Sequence, residues 1–175
     1  MSPDPGDPPR VVVMGVTGAG KSTVGRALAD QIGVPFLDAD DLHPAANVAK
    51  MHAGIALTDE DREPWLHAVG AWIAGRAGGG CVVACSALKR SYREVLGSHD
   101  PAMEFLHLTV SPELAADRVD RRTDHFMPAT LVGSQLATLE PPEPPERFVE
   151  VDASLPVDEI VATFLAERNV PQRDT

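Results

Sequence analysis

The chain has 175 residues, is 43% apolar and carries a formal charge of −11. That length supports one domain with one sizeable core and leaves little room for a second. Such acidity argues against nucleic-acid backbones and anionic membranes as partners, no apolar run approaches the roughly 20 residues of a membrane helix, and the proline-rich Met1–Pro9 has no signal-peptide character, so the cytoplasm is the expected compartment.

Residues 1–9 read as a flexible tail, 10–170 as a single domain and 171–175 as a second tail. Val11–Met14 is a short β-branched run ending at a glycine, the pattern of a buried strand. Val24, Leu28 and Ile32 then repeat at helical spacing, with Gly33 as a stop. Val34–Leu37 is a second strand candidate. Thr58–Asp61 supplies helix-start chemistry, Pro64 fits a first turn, and Trp65, Leu66, Val69, Trp72 and Ile73 mark one apolar face. Gly78–Gly80 closes that helix and Cys81–Cys85 forms a third strand. On a strand these two cysteines share a face about 13 Å apart, too far to bridge, so both read as buried free thiols.

Glu104–Val110 is a fourth strand, and Ser111–Pro112 starts a helix running to about Arg122. Glu140–Glu146, rich in proline, reads as a stiff extended connector. Arg147–Val151 is a fifth strand and Val157–Arg168 a closing helix. Strands alternating with helices imply a parallel sheet covered on both faces. Ligands of such sheets bind beyond the carboxyl ends of the strands. Gly15–Ser22, Asp38–His43, Ser86–Arg90 and the arginines near 120 all adjoin those ends, so they converge on one rim.

Gly15-Val-Thr-Gly-Ala-Gly-Lys-Ser22 matches G-x-x-x-x-G-K-[ST] between a predicted strand and a predicted helix, the context the motif requires. Its glycines let several backbone N–H groups point at one place, and the following helix adds its positive end. Gly15, Thr17, Gly18, Ala19, Gly20, Lys21, Ser22 and Thr23 are therefore the expected cradle for the phosphates of ATP. Lys21 would reach the β- and γ-phosphates and the Ser22 hydroxyl would bind Mg²⁺. The N-K-x-D of GTPases is absent, and Asp30-Gln-Ile-Gly33 fits D-x-x-G only as a helix end. A compact kinase acting on a small molecule fits the length.

Further stretches resemble the gluconate kinases, a family of small P-loop kinases. They are Phe36-Leu-Asp-Ala-Asp-Asp-Leu-His-Pro44, Asn47–Met51, Leu57-Thr-Asp-Glu-Asp-Arg-Glu-Pro-Trp-Leu66, Cys85-Ser-Ala-Leu-Lys-Arg-Ser-Tyr-Arg93, His125–Pro128 and Ser134–Glu140. With the P-loop they cover most of the chain from Val11 to Val151. Ala39, Ala45, Ala46 and Asp124 depart from the family pattern without removing an essential group. The resemblance implies a three-layer α/β P-loop kinase fold, with a five-stranded parallel sheet flanked by helices and a helical lid at about 118–128. It implies phosphorylation of D-gluconate to 6-phosphogluconate by Mg-ATP, and extends to a homodimer. A shikimate-type kinase and a nucleotide-binding regulator without transfer activity stand as alternatives.

Asp40, just past the second strand, is expected to hold the attacking hydroxyl; a carboxylate there can orient or deprotonate it. Asp38 and Asp41 read as caps or surface groups. His43 resembles the family's substrate-side histidine; Lys50, Arg62, Lys89, Arg93, His125 and Gln135 are also expected on the gluconate side, with Arg62 offering a planar fork for the carboxylate. The resemblance gives Arg118 a contact to the nucleotide, and Arg122 a catalytic role against the charge of the transferring phosphoryl group. The small residues of Ser86–Leu88 would let substrate approach the backbone.

Overall fold

The computed structural model describes residues 6–122 and 130–168. Five strands form one sheet: β1 (Arg10–Met14), β2 (Phe36–Asp38), β3 (Cys81–Ala84), β4 (Glu104–Thr109) and β5 (Phe148–Asp152). Their order is β2-β3-β1-β4-β5 and every neighbouring pair is parallel. Helices α1 (Lys21–Ile32) and α7 (Val157–Glu167) cover one face, while α3 (Asp59–Ala74) and α4 (Arg90–His99) cover the other. Three more helices, α2 (Ala45–His52), α5 (Pro112–Asp120) and α6 (Thr130–Thr138), lie toward the rim at the carboxyl ends of the strands.

The alternation of side chains on a strand explains the two cores. From β1, Val11 and Val13 join Leu106 and Leu108 of β4 against Val24 and Leu28 of α1 and Phe164 of α7. Val12 and Met14 face the opposite way, onto Trp65, Leu66, Val69 and Ile73 of α3 and Leu96 of α4. Central strands buried on both sides read as continuous apolar runs, as Val11–Met14 and Cys81–Ala84 do. Both cysteines are buried and unbridged. A third, smaller cluster of Val16, Leu88, Ala115, Val119 and Val132 ties the loop after β1 to α5 and α6.

Local chemistry sets the ends. Gly33 caps α1 in the left-handed conformation at φ 71°. The Val34 N–H closes that cap on Ala29 O at 3.0 Å, and Pro35 has no N–H to give. The second strand therefore starts at Phe36, two residues later than the apolar run suggests. Thr58 and Asp61 form a reciprocal capping box at the start of α3. Pro64 lies inside α3, in its second turn rather than its first. Trp65 is buried, whereas Trp72 is only half-buried under the Arg76 guanidinium, 3.4 Å from its ring centroid. Glu140–Glu146 is not simply extended, since Glu146 N–H turns back onto Glu143 O at 2.9 Å.

Candidate active site

The loop Gly15–Gly20 leaves the end of β1 and enters α1. Ala19 N–H bonds Val16 O at 3.1 Å, closing a tight turn. Gly18 has φ +83°, and a Cβ there would fall 2.5 Å from Ala115 O, so neither conformation nor space allows a side chain. Gly20, at φ 91°, aims the first N–H groups of α1 into the cleft. Lys21 folds back so that Nζ bonds Val16 O at 3.1 Å. Desolvation lowers its pKa from the ordinary lysine value, opposed mainly by Asp40.

A chamber of about 400 Å³ opens over this loop. Thr17, Gly18, Gly20, Lys21 and Ser22 line it, facing Asp38, Asp40, Ser86 and Arg122. Ser22 Oγ donates to Asp38 Oδ2 at 2.9 Å. Asp38 ends β2, and its other oxygen accepts the Asp40 N–H at 3.1 Å, capping a 3₁₀ turn over Ala39–Leu42. This turn holds the Asp40 side chain out into the cleft, 81% exposed. The cleft walls and the Asp38 carboxylate raise the Asp40 pKa, and Lys21 opposes the rise. Water reaching so exposed a carboxylate moderates the effect.

A second chamber, about 390 Å³, adjoins the first. Its walls carry His43, Ile55, Leu57, Arg62, Trp65, Leu88, Tyr92, Leu131 and Ser134. Among the described residues, four line both chambers: Asp40, Met51, Ser86 and Gln135. Arg62 Nη1 donates to Leu57 O at 2.8 Å and to Tyr92 Oη at 3.3 Å. Tyr92 in turn donates to Asp59 Oδ1 at 2.5 Å, so Arg62 stands on a fixed support. The His43 ring stacks on Trp65, centroids 4.1 Å apart and planes 15° apart. Burial, then the Arg62 charge, lowers its pKa to about 4, so the ring is neutral near pH 7.

Several expected site residues stand elsewhere. Arg93 is 2% exposed; its Nε meets Glu146 Oε1 at 2.6 Å and its Nη1 bonds Ala87 O at 2.8 Å. It pins the Glu140–Glu146 segment to the β3–α4 loop and lines neither chamber. Lys50 is committed to Asp61, at 2.8 and 2.9 Å, which ties α2 to the start of α3. Lys89 is bound to Asp59 at 3.1 Å, with its Nζ 5.4 Å from the centroid of the Tyr92 ring. Neither lysine lines a chamber. Arg118 directs Nη1 to Gly18 O and Ala19 O and Nη2 to Ala153 O; these donors brace the Gly15–Gly20 loop rather than face the chamber. Gly15 and Ala19 shape the loop from behind, and Thr23 is exposed outside the lining. Gln135 does reach the cleft, where its Oε1 accepts the Thr17 N–H at 2.6 Å. His125 and most of the expected lid lie outside the described residues.

Asp38 reads in the sequence as a cap or surface group, and it does cap the 3₁₀ turn; its hold on Ser22 is the part the sequence did not show. The signal was topological: β2 sits beside β3, which flanks β1, so the end of β2 abuts the phosphate loop.

The profile of the shikimate kinase family matches residues 17–140. The gluconokinase of Gluconobacter oxydans is 48% identical, over 90% of this chain and 92% of that protein. A probable gluconokinase of Xenopus tropicalis is 43% identical, over 90% of this chain and 92% of its own. The crystal structure of a gluconokinase from Sinorhizobium meliloti superimposes with a TM-score of 0.83 at 49% identity, covering 92% of this chain and 91% of that one.

Proposed function

The chain belongs to the gluconokinase family, a branch of the P-loop kinases, and we propose on that premise how its two chambers divide the work. It is an ATP-dependent kinase that phosphorylates gluconate. ATP occupies the chamber over Gly15–Ser22, with its γ-phosphate toward Asp40. Gluconate occupies the adjoining chamber, with its 6-hydroxyl at the seam. The observation that carries this reading is the position of Asp40 on the boundary that both chambers share.

Phosphoryl transfer asks a protein chiefly for positioning and charge stabilisation. Backbone N–H groups at the start of α1 hold the phosphates. Lys21 and Arg122 line the chamber together and face the charge that develops on the transferring group. Asp40 accepts the proton of the attacking hydroxyl; its raised pKa brings it closer to the base strength useful at neutral pH. His43 donates to the polyol, and the remaining donors of the Arg62 fork bind the carboxylate. The Ser22 hydroxyl and the Asp38 carboxylate are hard oxygen donors 2.9 Å apart, a pairing that suits Mg²⁺. When bound, that ion neutralises charge on the β- and γ-phosphates. Two buried free thiols, Cys81 and Cys85, accord with a reducing compartment such as the cytoplasm.

The test is a coupled ADP-release assay with gluconate, shikimate and nucleoside monophosphates, with the product identified by ³¹P NMR. Turnover on gluconate giving a 6-phosphate ester is expected. Turnover on shikimate alone would overturn the assignment.

A further inference from the structure

Asn47 is 4% exposed in α2, behind the His43 ring that lines the acceptor chamber, and its side-chain nitrogen has two partners. Nδ2 donates to Asp61 O at 2.9 Å and lies 3.3 Å from Nδ1 of His43. A backbone carbonyl can only accept, so the end of the carboxamide facing Asp61 must be the NH₂. The same NH₂ faces His43, and its second hydrogen requires a lone pair on Nδ1. The neutral ring must then carry its proton on Nε2. Nε2 points to the seam, 3.8 Å from Asp40 Oδ1. The ring cannot swivel freely, because it lies flat on Trp65, whose indole N–H is bound to Ala39 O at 2.7 Å.

We propose that Asn47 is a positioning residue that locks His43 in its Nε2–H tautomer, so that His43 presents a fixed donor beside Asp40 to the incoming hydroxyl. The opposite tautomer would set an acceptor beside the Asp40 carboxylate, leaving two acceptors to compete for one hydroxyl proton. A donor at Nε2 instead takes a lone pair of the hydroxyl oxygen, and the hydroxyl's own proton is left directed at Asp40. The charged groups facing the ring are Asp40 from the 3₁₀ turn and Arg62 from α3; Asp61 enters only through its backbone carbonyl to Asn47. This inference rests on the placement of gluconate beside His43.

The experiment is long-range ¹H–¹⁵N NMR on protein carrying ¹⁵N-labelled histidine, with His43→Ala to assign its signals. In the unmodified protein at neutral pH, His43 is expected to show a protonated Nε2 and a bare Nδ1. In Asn47→Ala the ring is expected to populate both tautomers, and gluconate turnover to fall roughly tenfold, the low end of what loss of a hydrogen-bond partner costs a metal-bound histidine, with the KM for ATP unchanged. A protonated Nδ1 in the unmodified protein overturns the proposal with no variant needed. So does an unchanged tautomer in Asn47→Ala. If the tautomer is locked as expected but His43→Ala phosphorylates gluconate with unaltered kcat and KM, then the acceptor-side role of His43 is what fails, and the positioning role fails with it.

Discussion

The two chambers of the cleft differ in where their polar groups come from. The chamber proposed for the phosphates takes its backbone N–H groups and Lys21 from one contiguous stretch, Gly15–Ser22, although α2, the end of β3 and α6 also contribute to its walls. The acceptor chamber gathers walls from α2, α3, the β3–α4 loop and α6, which are distant in sequence. Anion binding by a loop and a helix end needs few side chains, whereas a polyol acid needs donors and acceptors placed around its whole length. The difference predicts that damage to the phosphate chamber strikes turnover, while damage to the acceptor chamber mostly changes apparent affinity.

The largest effect should come from Lys21→Ala. A cation stabilising the transferring phosphoryl group is worth roughly 10³–10⁵ in kcat, and a loss of that order is expected with the fold intact by circular dichroism. Retained turnover would place the chemistry away from the loop. Asp40→Asn comes next, with kcat expected to fall by roughly 10²–10⁴ and the gluconate KM to change little. The pH profile of kcat/KM sharpens this. Asp40 must be unprotonated, and its pKa is raised, so the acid limb should lie above the range of a free aspartate. Lys21 must be charged, and its pKa is lowered, so the alkaline limb should fall below that of a free lysine. In Asp40→Asn the acid limb should disappear while the alkaline limb stays.

Arg93→Met tests whether a buried cation near the cleft belongs to it. Removing one partner of a buried ion pair costs about 3–5 kcal/mol of stability. A clear drop in Tm is expected, with an unchanged gluconate KM in the protein that remains folded. A raised KM at unchanged stability would return Arg93 to the substrate.

These contrasts show what the sequence could and could not carry. The parallel sheet, its α1 and α3 faces and the phosphate loop were legible because each depends on spacing within one segment: Val24–Leu28–Ile32, Thr58–Asp61, Gly15–Ser22. Apart from Arg62, the expected acceptor cations were not, because motif position does not reveal which acid each will meet. Lys50, Lys89 and Arg93 adjoin the rim in sequence, but Asp61, Asp59 and Glu146 claim them in space. The short helix α2 left too little periodicity to read, and Asp38, legible as a cap, shows its hold on Ser22 only once β2 is placed in the sheet.

Arg62 and Lys89 give the finest division, since both contact the Tyr92–Asp59 support. Arg62 lines the chamber and Lys89 does not. A charge-assisted bond to a substrate carboxylate is worth about 1.5–3 kcal/mol, so Arg62→Ala should raise the gluconate KM roughly 10- to 100-fold while leaving the ATP KM alone. Lys89 forms an exposed pair, and such pairs contribute little; Lys89→Ala should change the gluconate KM by no more than about twofold. Asp59 would still hold Tyr92 through its own bond. Equal KM increases in the two variants would mean that the support moves as one unit, and that the carboxylate is read by the whole Arg62–Tyr92–Asp59–Lys89 cluster rather than by Arg62.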